Sequence, residues 1–226
     1  MPALVLIIGV SFLDSPIVGL RCSPSARIFK IHQELLKARG GRIICAFERG
    51  FKEKSDGVYT ITDTTEETLL RYMEWAYRND YPSAVNEDSS QEPGAETKGD
   101  ATDPRLCHVG VYIFANKYII DKLEALAFRK LTRSLALVKD FSDNDSRTLI
   151  QVLDLALSNL PAGNSLLEWL GKYAAWRLSY LRRCTDFHDR SGSLAPFLIK
   201  YVQPSPPPPE CDPNVEYYRN RVKPRW

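Results

Sequence analysis

The hydrophobic pattern changes character several times along the chain. Two early stretches, IVGLRC at 17–22 and IFKIH at 28–32, are rich in β-type residues and flank Ser23-Pro24-Ser25. The turn chemistry between them predicts a β-hairpin. Gln33 to Ala38 has helical composition and is broken by Gly40-Gly41. Ile43 to Glu48 predicts a short apolar helix, with Phe51 just beyond it, and GVYTITD at 57–63 predicts a third strand. Thr64 and Glu67 have the spacing of a capping box. Leu69, Tyr72, Met73, Ala76 and Tyr77 follow at helical spacing, and Asn79-Asp80-Tyr81-Pro82 closes that helix.

The pattern then lapses. Residues 83–103, SAVNEDSSQEPGAETKGDATD, are rich in Ser, Gly, Pro and acid, with almost no large apolar side chain. Such a segment buries too little surface to offset its ordering entropy, so a disordered acidic insertion is expected. Helical spacing returns with Val111, Phe114 or Ala115, Tyr118, Ile119, Leu123, Leu126, Ala127 and Leu131, dividing into helices to about Tyr118 and from about Asp121. A further helix is expected from Asp143–Ser146 to the stop at Pro161, and another from Asn164 or Ser165 through Leu181. A last helix is expected over 192–202. The tail beyond it contains Pro206-Pro207-Pro208-Pro209, a polyproline II segment. Many helices around three short strands imply an α+β, mostly helical fold.

Composition narrows the classes. The 226 residues suffice for a domain of about 100–150 residues and a smaller companion. The net charge of +2 argues against nucleic acid or an anionic membrane as the main partner. The five cysteines, Cys22, Cys45, Cys107, Cys184 and Cys211, are widely spaced and form no CxxC pair. Free thiols in a reducing compartment are expected, with no metal and no cofactor. The apolar start, MPALVLIIGV, is shorter than the roughly 20 residues a membrane helix needs and lacks a basic flank. It is expected to form a buried strand, in a protein of the cytoplasm or nucleus.

The order of hairpin, helix pair, strand, helix and second helix pair resembles a BTB/POZ domain of the variety common in fungal proteins. The residues that carry the resemblance are Phe12 and Asp14, Phe29-x-Ile31-His32-x-x-Leu35-Leu36, Ala46-Phe47 and Gly50-Phe51-Lys52-Glu53. Further along come Asp63, Leu70-x-x-Met73-x-Trp75-Ala76-Tyr77, and Val111-Tyr112-x-x-Ala115-x-Lys117-Tyr118. The match covers about residues 12–138, with 1–11 as an apolar N-terminal segment. Residues 139–203 resemble the helical extension that often follows such a domain, and 204–226 form a proline-rich tail. One departure is Arg39-Gly40-Gly41-Arg42-Ile43, where the family usually has Arg-Ser-Pro-x-Phe.

The resemblance implies a small sheet covered by helices, homodimerisation, and work as a protein–protein adaptor or scaffold rather than an enzyme. It implies no small-molecule substrate, no direct nucleic acid and no membrane. In BTB domains that recruit a cullin ubiquitin-ligase scaffold, a hydrophobic-x-Glu motif lies in the loop where this chain has Phe51-Lys52-Glu53. Phe51 and Glu53 are therefore the candidate cullin contact, with a buried aromatic as anchor. The alternative is a transcription-associated oligomeriser acting through a DNA-binding partner. His32 corresponds to a structural histidine, and Asp14 to a buried acidic residue. Cys22 and Cys45 could be imagined as nucleophiles beside His32, but neither sits in a nucleophile turn. Trp75, Tyr77, Tyr112 and Tyr118 are expected in the core, and Arg177, Arg182 and Arg183 on a solvated helix face. The proline run is either a plain tail or a ligand for an SH3- or WW-type groove.

Overall fold

The structure, a computed structural model, describes residues 12–48, 55–83 and 103–202. They form a mostly helical α+β protein with one small mixed sheet. They divide into two compact units, one of residues 12–48, 55–83 and 110–126, the other of 103–109 and 127–202. The expected strand at 1–11, most of the acidic insertion, the proline tail, and both Phe51 and Glu53 lie outside the described residues.

In the first unit, β1 (Ile17–Cys22) is the central strand. It pairs antiparallel with β2 (Ile28–His32), with Ile17 opposite His32, and parallel with β3 (Val58–Ile61), with Gly19 opposite Val58. Val18, Leu20 and Cys22 are buried on β1, and Phe29 and Ile31 on β2, at the two-residue period of a sheet with one face on the core. Gly19 has a packing reason. A Cβ there would stand 2.8 Å from Ile28 Cγ2 and 2.9 Å from Val58 Cγ2, so the flanking side chains close over the bare backbone.

Helix α1 (Gln33–Arg39) follows β2 directly and buries Leu35 and Leu36. Gly40 ends it. A 3-10 turn over Gly41–Ile44 then leads into α2 (Cys45–Glu48), so the helix expected from Ile43 is preceded by a tighter turn. Gly41 has φ +52°, and a Cβ on it would stand 2.1 Å from the Tyr118 carbonyl oxygen. Gly41, next to the glycine that ends α1, thus lets another part of the same unit approach the backbone.

Helix α3 (Glu66–Arg78) starts one residue later than its sequence signal implies. The cap is Thr65, not Thr64: its hydroxyl accepts from the Thr68 amide at 3.2 Å, and the expected Thr64–Glu67 box is replaced. The Thr64 carbonyl instead accepts from the Cys22 thiol, which ties Thr64 to the end of β1. Helices α4 (Pro104–Tyr118) and α5 (Asp121–Ala136) meet at Ile119, which takes a left-handed φ of +56°. That joint turns Ile119 outward, 46% exposed, so it leaves the apolar stripe in which it was expected.

The second unit is helical. Ser142 caps α6 (Asp143–Asn159) in a true capping box with Asp145, and the helix stops before Pro161. Asn164 caps α7 (Ser165–Trp176). The remainder is shorter than the sequence suggests: α8 (Leu178–Leu181), α9 (Thr185–Asp189) and α10 (Ser191–Leu198). The last helix expected over 192–202 ends at Leu198. Beyond it the Tyr201 ring packs on Gly171, where a Cβ would come within 2.3 Å. Helix α9 buries Phe187 alone, too little for a period to register in the sequence. Among the described residues, no helix is long and apolar enough to cross a membrane.

Candidate interaction surface

The residues just before β1 are bound to the start of α1. Ser15 donates from its amide and its hydroxyl to the Phe12 carbonyl, at 3.1 and 2.7 Å, closing a turn over 12–15. The same hydroxyl accepts from the Glu34 amide at 3.2 Å, and the Pro16 carbonyl accepts from the Gln33 amide at 2.8 Å. Two amides that a helix start leaves unsatisfied are thereby capped from a distant stretch of chain. His32, at the cap position, supplies no side-chain cap of its own.

That attachment brings three rings together. Phe12 stands edge-on to His32 at 5.8 Å and to Tyr77 of α3 at 6.2 Å, and His32 and Tyr77 stand 6.0 Å apart. His32 Nδ1 lies 2.8 Å from the Tyr77 hydroxyl oxygen, which also accepts from the His32 amide at 3.4 Å. The packing and hydrogen-bonding role expected of His32 is what this geometry performs. Tyr77 is not core, however. It is 41% exposed, because at the last turn of α3 its ring lies over the half-buried Phe12 and His32.

The surface extends beyond the rings. Leu13, next to Phe12, is 55% exposed, and Ile17, paired with His32, is 59% exposed. Isolated apolar side chains on a surface are ordinary. Phe12 and Leu13 in the turn, Ile17 and His32 at one strand end and Tyr77 on α3 are all half-buried or exposed, and three of their rings are in contact. Asp14 beside them is exposed, contrary to the buried acidic residue expected there, because the turn over 12–15 points outward at that position.

The other candidates are not brought together. Cys22 lies five residues along β1 from Ile17, roughly 16 Å from the strand end that holds His32. Its thiol is buried and donates to the Thr64 carbonyl, and burial, then the charge of Glu66, pushes it up from the ordinary thiol value. A thiol raised in this way is a poor nucleophile. Cys45 is half-buried on α2. Trp75, Tyr112 and Tyr118 are in the core as expected. Burial first, then its interaction with Tyr59, raises the Tyr118 phenol. Among the described residues, no group of three or more His, Cys, Asp or Glu is placed to hold a metal ion.

Arg177 departs furthest from expectation. It is not solvated but buried, with its guanidinium 3.9 Å from the Trp176 ring centre and 4.8 Å from that of Phe141. One Nη donates to the Val138 carbonyl at 3.1 Å, while Nε is buried without a partner. Arg182 and Arg183 are exposed as expected.

Sequence reasoning missed the Phe12–His32–Tyr77 cluster as a surface. Its signal was available in the separate motif pieces Phe12, His32 and Tyr77, but their meeting depends on the Ser15 and Pro16 anchors. No family model matches the chain, and no curated protein matches it.

Proposed function

We propose that this chain is a protein–protein interaction module of the BTB/POZ type that pairs with a second copy of itself and serves as an adaptor. The observation that carries the reading is the anchored, half-exposed surface of Phe12, Leu13, Ile17, His32 and Tyr77. None of those five is an acidic or basic residue of fixed charge, and the exposed Asp14 lies beside them. The observed order of elements supports the reading too: an antiparallel hairpin, a helical pair, a third strand, a longer helix and two further helices. Within the same reading, Phe51 and Glu53 form the contact with a cullin-type scaffold, and the second unit or the tail carries the recruited partner.

Ile17→Lys tests it. The residue is largely exposed, so a charge there leaves the fold intact while placing a cation at the centre of the patch. Light scattering on the full chain is expected to give a dimer for the wild type and a monomer for Ile17→Lys. A wild-type monomer, or a dimer indifferent to the substitution, counts against self-association at this surface. A parallel pull-down with a cullin N-terminal domain should lose binding in Phe51→Ala/Glu53→Ala.

A further inference from the structure

Basic residues stand side by side at two places in the chain, Arg129-Lys130 and Arg182-Arg183, and one residue separates each pair from a threonine. In Arg129-Lys130-Leu131-Thr132 and in Arg182-Arg183-Cys184-Thr185 the cations therefore lie three and two residues before a hydroxyl. The structure separates the two sites. Thr132 is fully buried inside α5, and its hydroxyl donates to the Arg129 carbonyl at 3.3 Å. Thr185 is exposed at the first residue of α9, and its hydroxyl makes only a long 3.5 Å bond to Asp186 Oδ1.

The surroundings of Thr185 leave the motif accessible. Arg182 and Arg183 are exposed in the break between α8 and α9. Among the described residues, neither guanidinium is in an ion pair. The backbone at Cys184 is extended, with φ −85° and ψ 128°. Helices α8 and α9 have four and five residues, and between 182 and 190 only Cys184 and Phe187 are buried. A stretch held by so few buried contacts belongs to the part of a fold that opens locally at low cost. The acid that follows, Asp186, lies 4.0 Å from Arg147 Nε, which partly offsets its charge.

We infer that Thr185 is a phosphorylation site for a protein kinase whose substrate cleft is acidic. Each guanidinium offers a planar fork to a carboxylate, and two forks at fixed spacing from the hydroxyl set register as well as charge. The phosphoryl donor is ATP. Thr185 Oγ1 forms a bond to the γ-phosphorus, the bond from that phosphorus to the β–γ bridging oxygen breaks, and ADP leaves. The hydroxyl proton passes to the catalytic carboxylate of the kinase. The product carries an added charge of about −1.5 to −2 at neutral pH, which nearly cancels the chain's net +2. This site is independent of the dimer reading.

The test is labelling of the full chain with magnesium ATP and a purified kinase that selects Arg-Arg-x-Thr peptides. Phosphopeptide mass spectrometry places the label, and circular dichroism checks the fold of each variant. Wild type is expected to take up phosphate at Thr185, Thr185→Val to take up none there, and Thr185→Ser to recover it. Arg182→Gln/Arg183→Gln keeps the hydroxyl, and its kcat/KM as a substrate should fall at least about tenfold, the loss of one charged hydrogen bond or more. An unlabelled folded wild type overturns the site. So does label on Thr132 in the folded chain, or labelling of Thr185 that is undiminished when both arginines are replaced.

Discussion

Arg177 shows how one backbone step can reverse a side chain's role. Spacing puts it on a face with Arg182 and Arg183 only if one helix runs through all three. The backbone at Arg177 instead takes φ −89° and ψ 9° between α7 and α8. That break turns the guanidinium inward among Phe141, Tyr173, Trp176 and Tyr180. Ring stacking and the bond to Val138 then hold a charge that water would otherwise solvate. Arg177→Ala is expected to cost about 3 kcal/mol in denaturant unfolding. Arg182→Ala, on the exposed side, should stay within about 0.5 kcal/mol. Equal effects would mean that the cage does not hold in solution.

Among the elements, starts and stops separate the legible from the hidden. Helix α6 was legible in extent, with Pro161 stopping it locally, but its cap is Ser142, one residue before the Asp143–Ser146 stretch expected to supply it. Helix α3 was misread by one residue because two adjacent threonines both precede suitable partners. The choice between them is made by tertiary contact: Cys22 engages the Thr64 carbonyl, and the helix begins after Thr65. Thr65→Ala is therefore expected to lower stability by about 1 kcal/mol. Thr64→Ala, which keeps the carbonyl, should change it by less than about 0.5 kcal/mol. Thermal unfolding of the two variants side by side decides the matter, and a larger loss at Thr64 would restore the original box. The sheet was read correctly as three strands, but its register and the parallel pairing of β3 came from packing around Gly19.

At the scale of the whole molecule, one ion cluster in the second unit contributes to acid stability. Arg105 bonds Asp103 and Asp145, each at 2.6 Å, and Thr148 donates to Asp103 at 3.2 Å. Burial pushes the Asp103 carboxyl up, but the bonds and charge of Arg105, with Thr148, outweigh it and hold it below the usual value. Burial likewise pushes Asp145 up, and Ser142 together with Arg105 brings it below. Both folded values lie under the unfolded one, so the native state binds fewer protons. Their stabilisation is complete above the unfolded value of about 4 and is lost as pH falls through the folded values. Urea titrations from about pH 6 to pH 3 should show a shallower acid loss in Asp145→Asn than in wild type. Identical slopes would remove the cluster from the acid response.

What the chain determined by itself, among the described residues, was much of the inventory: three short strands, an α+β and mostly helical composition, the extents of α1, α3 and α6 to within a residue or two, and most of the buried side chains. Those follow from hydrophobic period, glycine, proline and local caps, which act over a few residues. What only the tertiary structure decided was which residues meet. Phe12, His32 and Tyr77 join because Ser15 and Pro16 cap a helix that starts 17 residues further on. Arg177 is buried because the break between α7 and α8 turns it among the neighbouring rings of Tyr173, Trp176 and Tyr180, and the distant Phe141 and Val138 complete its cage. The ring cluster has no local signature, and the cage only a partial one, since contacts between segments distant in sequence help to select them.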